Sequence, residues 1–106
     1  MSDAPAELDM QLMRSAAAEA AGVLRTLGNP DRLLLLCQLS QGERSVGELE
    51  QILGLRQPSL SQQLAVLRSE GLVQTRRDGK RMFYSIAEPK LLVLLGTLYQ
   101  LYCPQA

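Results

Sequence analysis

The chain has no histidine and no tryptophan, and only two cysteines among its 106 residues. Without imidazole it lacks the side chain that titrates near neutrality, the commonest general base and the usual nitrogen ligand of zinc sites. Aromatic residues make up 4% of a composition that is 46% hydrophobic, so leucine carries the packing and a helical fold is favoured. No apolar run approaches the ~20 residues a bilayer span needs; the longest are Leu33–Cys37 and Leu91–Leu95. The N-terminus, with Asp3, Pro5, Glu7 and Asp9, lacks the basic-then-apolar layout of a secretory signal. A cytoplasmic setting is therefore expected, in which both cysteines rest reduced. There is no glycine-rich phosphate loop and no nucleophile with a candidate base. Glu48 and Glu50 are two apart on a helix and do not face each other. The expectation is a non-enzyme with no cofactor and no metal, one domain over residues 8–106 behind a flexible tail at 1–7.

What the chain does have is a charge divide. Its formal net charge is zero, which taken alone argues against nucleic acid. Residues 1–55 nevertheless hold four basic and eight acidic side chains, whereas 56–106 hold three acidic ones against seven basic: Arg56, Arg68, Arg76, Arg77, Lys80, Arg81 and Lys90. A phosphate-facing patch on an acidic body distributes charge this way, and four of the seven fall at 76–81.

Residues 45–86 concentrate the structural signals. Ser45 and Glu48 form the S-x-x-E capping box that opens a helix. Leu49, Ile52 and Leu53 follow at helical spacing and Gly54 stops it. Pro58 starts the next helix from its first position, with Leu60, Leu64 and Leu67 as its inward stripe and Gly71 as its stop. Two β-prone runs, Leu72–Arg76 and Arg81–Ile86, flank a tip containing Asp78-Gly79, a strong hairpin signal. Two short helices, a tight turn and a basic hairpin are the parts of a winged helix-turn-helix. Given the leucine stripe, Ser59, Gln62 and marginally Gln63 project away from the core of the second helix. On residues alone, a plain core helix and a DNA-reading helix remain equally open there. Arg76, Arg77, Lys80 and Arg81 fit phosphate or minor-groove contact, although charge on a hairpin also guards a sheet edge.

Three further helices surround this reader. Leu8 to Thr26 is alanine-rich, with Leu12, Ala16, Ala20, Val23 and Leu27 on one stripe. Asn29 and Pro30 cap and start a helix to about Ser40, which Leu33–Leu36 should bury on every side. The last helix, from Glu88-Pro89 to about Tyr102, also has no polar face. A small domain cannot cover such a terminal helix by itself, so a second copy packed through the first and last helices is expected. The order reads α-α-α-α-β-β-α, mainly α with a β-hairpin wing.

Several landmarks resemble the ArsR/SmtB family of bacterial winged-helix transcriptional regulators over about residues 15–103. They are Leu27-Gly28-Asn29-Pro30-Asp31-Arg32-Leu33, Ser45-Val46-Gly47-Glu48-Leu49, Gln57-Pro58-Ser59-Leu60-Ser61-Gln62-Gln63-Leu64, Leu67-Arg68-Ser69-Glu70-Gly71-Leu72-Val73, and Arg76-Arg77 before the wing. The resemblance implies a homodimer on palindromic double-stranded operator DNA, repressing or counteracting repression. It brings Gln57, Ser59, Ser61, Gln62 and Gln63 forward as groove contacts and Arg76, Arg77, Lys80 and Arg81 as wing contacts.

The metal-sensing members differ from this chain, which has neither their Cys-x-Cys pair before the recognition helix nor a histidine. Cys37 and Cys103 are similar instead to the thiol-based BigR/SqrR/HlyU branch, which implies a redox-sensing pair and a small reactive-sulfur or oxidant inducer. Chemistry alone leaves duller readings open. Cys37 suits a small buried hydrophobe, and a helix C-terminus disfavours a thiolate at Cys103. A soft-metal or arsenic(III) sensor using the same two thiolates, and a constitutive DNA-binding protein with structural cysteines, are the alternatives.

Overall fold

A computed structural model describes residues 9–103; the tail expected at 1–7 lies outside the described residues. The chain runs α1 (Met10–Leu27), α2 (Pro30–Leu39), β1 (Arg44–Ser45), α3 (Val46–Leu53), α4 (Gln57–Ser69), β2 (Val73–Asp78), β3 (Arg81–Ile86) and α5 (Pro89–Tyr102). This is a winged helix-turn-helix with one strand more than the sequence announced. β1 is two residues long and pairs antiparallel with β3 through Arg44↔Tyr84 and Ser45↔Phe83, giving the sheet order β1-β3-β2. A two-residue strand leaves no periodicity to read.

The caps set the element boundaries. Ser45 Oγ accepts from Glu48 N while Glu48 Oε1 accepts from Ser45 N, so the capping box closes both ways. Gly54 ends α3 at φ 70°, the left-handed conformation that costs glycine no Cβ clash. Asn29 Oδ1 accepts from the amides of Asp31 and Arg32 at the start of α2. In α4, Gln57 takes the first position and Pro58 the second; both lie in the turn whose N–H groups have no intrahelical acceptor. β2 extends to Asp78, which pairs with Arg81, so the turn itself is Gly79-Lys80. Gly79 has φ 65° and Lys80 a negative φ, the glycine-first pattern of a type II′ hairpin.

One leucine core joins the elements: Leu35, Leu36 and Leu39 of α2, Leu49 of α3, Leu60, Leu64 and Leu67 of α4, Leu72 and Val73 entering β2, and Leu91 and Leu95 of α5, with Leu27 closing α1. Each such side chain contributes about 1.5–3 kcal/mol and holds α4 against α2 from beneath. α2 is not covered all round, because Leu34 stands 53% exposed. α1 is buried only at Thr26 and Leu27 and leaves residues 10–21 of its stripe exposed. Along α5, Leu92, Val93, Tyr99, Leu101 and Tyr102 are also exposed, Val93 at 72% and Tyr102 at 79%. The sequence led us to expect full coverage of α2, but ten residues at 100° spacing cannot all face a core made by one chain.

Candidate nucleic-acid interface and cysteine pair

Gln57, Ser59, Ser61 and Gln62 of α4 are exposed; Ser59 and Gln62 face away from Leu60, Leu64 and Leu67, and Gln57 and Ser61 lie on the flank beside Tyr84. Its N-cap, Arg56, makes no side-chain cap bond, so the positive end of the helix dipole is left open. Gln63 stands apart from that row. It is half-buried, and its Oε1 accepts from Arg32 Nη1 at 3.2 Å. Arg32 Nε donates at 2.8 Å to the carbonyl of Thr26, in the last turn of α1. Sequence reasoning missed Arg32 as anything beyond a motif letter; its invariable set of donors was the signal to follow.

Residues directly opposite in the hairpin share a face, which sorts the wing cations into two pairs. Arg76 and Arg81 lie on the face of Phe83, their guanidinium carbons 4.7 and 5.0 Å from its ring centroid. Both also have partners within the protein. Arg76 Nη2 and Nε donate to Glu43 Oε1 and Oε2 at 2.7 and 3.0 Å, and Arg81 Nη2 donates to Ser45 Oγ at 3.0 Å. The Arg76 fork holds the Glu43 carboxyl below the usual carboxylate range, and the hydrogen bonds from Ser45 do the same for Glu48. Arg77 is opposite Met82 on the other face and Lys80 is in the turn; both are exposed and neither has an ion pair among the described residues. Glu43 has no local sequence signal, since it meets Arg76 across 33 residues of chain.

Between α4 and the wing runs an open cleft of about 530 Å³, lined by Gln57, Ser61, Arg68 and Tyr84 among others. A second, of about 600 Å³, lies between the start of α3 and the wing tip and is lined by Gln51, Gln57, Lys80 and Arg81. Gln57 thus borders both. Arg68 and Tyr84 are new members of this surface. Arg68 follows Leu64 by one turn, and an α4 periodicity that was continued past the glutamines would have reached it.

Cys37 lies in α2 and Cys103 caps the C-terminus of α5, its amide donating to the Tyr99 carbonyl at 3.0 Å. Both are unlinked and half-buried. Burial pushes the Cys37 thiol pKa up, and the charge of Cys103 pushes it further the same way. Two cysteines on separate helices are therefore close enough to feel each other. Among the described residues, no group of three or more His, Cys, Asp or Glu side chains gathers where a metal ion could sit.

Comparison with known proteins fits this geometry. The model of the arsR family of bacterial regulatory proteins matches residues 29–75, from the N-cap of α2 into β2. The biofilm growth-associated repressor of Agrobacterium fabrum is 52% identical over 97 residues, covering 92% of this chain and 83% of that protein. The crystal structure of the transcriptional repressor BigR from Xylella fastidiosa superposes with a TM-score of 0.84 at 49% identity, covering 92% of this chain and 100% of that one. The solution structure of a homodimeric winged helix-turn-helix DNA-binding domain, Mb0332 from Mycobacterium bovis, gives a TM-score of 0.74 at 32% identity, covering 84% and 82%. With the family model matched from α2 into β2 and a relative of the same kind 52% identical over 92% of its length, the chain belongs to the arsR family of DNA-binding transcriptional regulators.

Proposed function

We propose that this regulator binds a palindromic operator as a homodimer and lets go when Cys37 and Cys103 become covalently linked. The observation that carries the switch is the placement of the chain's two cysteines, Cys37 half-buried on α2 and Cys103 half-buried at the C-cap of α5, near enough that the charge of Cys103 adds to burial in raising the Cys37 pKa. The dimer is supported by the apolar surface that α1 and α5 leave uncovered and by the homodimeric state of the Mycobacterium bovis relative. Ser59, Ser61 and Gln62 of α4 read base edges, where a carboxamide can pair with adenine N6 and N7; Gln57, Arg77 and Lys80 hold the backbone on either side. Arg76 and Arg81 shape the wing. No helix among the described residues is long and apolar enough to cross a membrane, and the cytoplasm, where thiols rest reduced, suits a sensor of this type.

The chemistry balances with a small persulfide as co-reactant. Two thiols and one persulfide give one disulfide, one thiol and one hydrogen sulfide; the sulfane sulfur takes the two electrons that the cysteines lose. A bridge that keeps one extra sulfur consumes two persulfides and releases two thiols and one hydrogen sulfide. A direct disulfide needs Cα atoms about 4.4–6.8 Å apart, and the longer bridge spans a wider gap. Either link ties α5 of the dimer surface to α2 behind the reader. A dimer reads half-sites about 34–36 Å apart, so a shift of a few ångströms breaks register.

A mobility-shift titration on operator DNA, with reduced and persulfide-treated protein, tests this. Treated wild type should release DNA and show an intramolecular Cys37–Cys103 link by mass spectrometry. Cys37→Ser and Cys103→Ser should each bind and fail to release. Release by either single variant at the wild-type dose, or links only between chains, overturns the switch. Release by arsenite or a soft metal with no link formed would establish the metal-sensor alternative. Unchanged binding throughout would mean constitutive binding with structural cysteines.

A further inference from the structure

Among the described residues, Arg32 is the one α2 side chain that hydrogen-bonds to two other helices. Its Nε reaches the Thr26 carbonyl at 2.8 Å and its Nη1 reaches Gln63 Oε1 at 3.2 Å. The first acceptor is one of the four last carbonyls of α1, which no amide of that helix can satisfy. It belongs to a residue only 6% exposed. The second acceptor lies on α4, beside Gln62. The backbone from which Arg32 springs is itself held, because its amide donates to the cap Asn29 at 3.1 Å. Since guanidinium offers only donors, the Gln63 atom facing it is the carbonyl oxygen, which fixes the flip of that amide and takes one of its two acceptor lone pairs.

The leucines beneath α4 hold it down but fix its pose only loosely, because hydrophobic contact is non-directional. Leu35 and Leu36 of α2 share a core with Leu60 and Leu64, and such a surface tolerates small slides and rolls. A forked arginine has direction as well as reach.

We propose that Arg32 is a positioning residue for the recognition helix: by pinning Gln63 to α2, it sets how α4 presents Ser59, Ser61 and Gln62 to the operator. The same strut joins the Cys37 helix to the reader. That second part rests on the cysteine switch proposed above, whereas the positioning role stands without it. Cys37 and Arg32 sit on one ten-residue helix, so a link that tilts α2 moves the guanidinium and draws on α4 at Gln63.

The test compares wild type with Arg32→Lys, Gln63→Leu and the double variant. It measures operator and non-operator affinity over a range of salt, with thermal melting and sedimentation as controls for fold and dimer. Each single variant should lose about tenfold in operator preference, the scale of one hydrogen bond. The double variant should lose no more than either single, and the slope of log affinity against log salt should stay at the wild-type value. A folded dimer with wild-type preference overturns the positioning role. So does an additive double loss, which marks Gln63 as an independent base contact. Should Arg32→Lys fail to fold, Gln63→Leu carries the test, since it removes only the acceptor. A second arm treats each protein with persulfide and confirms the link by mass spectrometry. Linked Arg32→Lys should hold DNA nearly as well as its reduced form. Linked variant that releases like wild type overturns the transmitting role, and linked wild type that does not release overturns the cysteine switch instead, leaving the preference arm to decide on Arg32.

Discussion

Substituting the wing cations one pair at a time separates those that meet DNA from those that build the wing. Among the described residues Arg77 and Lys80 are exposed without an ion pair, whereas Arg76 is held bidentately by Glu43 and stacked on Phe83. Each phosphate contact contributes about 0.9 to the slope of log affinity against log salt. Lys80→Ala removes one contact per wing and two per dimer, so the slope should fall by about 1.8. Between about 50 and 200 mM salt this is roughly a twelvefold change in the ratio of wild-type to variant affinity, well within reach of a fluorescence-anisotropy titration. Arg77→Ala should behave alike. Replacing Arg76 and Glu43 together by alanine removes a charge pair that is already neutral, and the slope should remain that of wild type. A slope that falls as far in the paired variant as in Lys80→Ala would refute this division. It would mean that Arg76 exchanges Glu43 for a phosphate on binding.

Ser45 is 3% exposed and its Oγ serves both the Glu48 amide and Arg81, so Ser45→Ala should destabilise the fold by about 1–2 kcal/mol, the worth of an N-cap, read from the urea midpoint. Glu48 is held below the ordinary carboxylate range by the Ser45 amide first and its hydroxyl after. A lowered folded pKa means that its stabilisation is complete above the unfolded value of about 4.3 and is lost as pH falls through the lower folded value. Glu48→Gln should flatten that acid limb, and an unchanged limb would show that the capping carboxylate does not contribute there. Cys37, raised by burial and then by Cys103, should be alkylated more slowly than a free thiol at neutral pH, with a rate that goes on climbing above the pH where a free thiol levels off. In Cys103→Ser the smaller cause disappears, so the alkylation midpoint should move modestly down; an upward move would contradict the coupling.

Much of the architecture was legible in the sequence because it is locally encoded. The Ser45–Glu48 box, Gly54, Asn29-Pro30 and the apolar stripe of α4 all act within a turn or two of themselves, and each boundary came within a residue or two of where it lies. β1 escaped because a two-residue strand is defined by its partner Tyr84 and Phe83 rather than by its own residues. The site was legible only in part, for the same reason. Side-chain direction on α4 follows from helical spacing, so Ser59 and Gln62 could be nominated as outward-facing residues. That Gln63 turns inward to Arg32, and that Glu43 holds Arg76, depends on contacts across 31 and 33 residues, which no local pattern carries. The four wing cations looked equivalent as a charge cluster, yet strand register puts them on different faces.

The position of the two cysteines bears on the order of reaction in the proposed linkage. A thiolate is the attacking species, and Cys37 is held toward its neutral form by burial first and by the charge of Cys103 second. The first bond to an incoming sulfur donor is therefore expected at Cys103, which sits at the C-cap in extended backbone, off the end of α5. A mixed disulfide there is uncharged, so the electrostatic cause of the raised Cys37 pKa disappears at the moment Cys37 is needed. Burial, the larger cause, remains, and Cys37 stays a weak nucleophile toward anything arriving from solvent. Toward a disulfide on its neighbour that weakness matters less, because closing the bridge is intramolecular and proximity replaces a dilute encounter. The raised pKa thus slows Cys37 toward reagents from solvent, and the proposed order puts Cys103 first. A lone modification of Cys103 leaves α2 untouched, and Arg32 with it; the reader feels the signal when the second thiol closes.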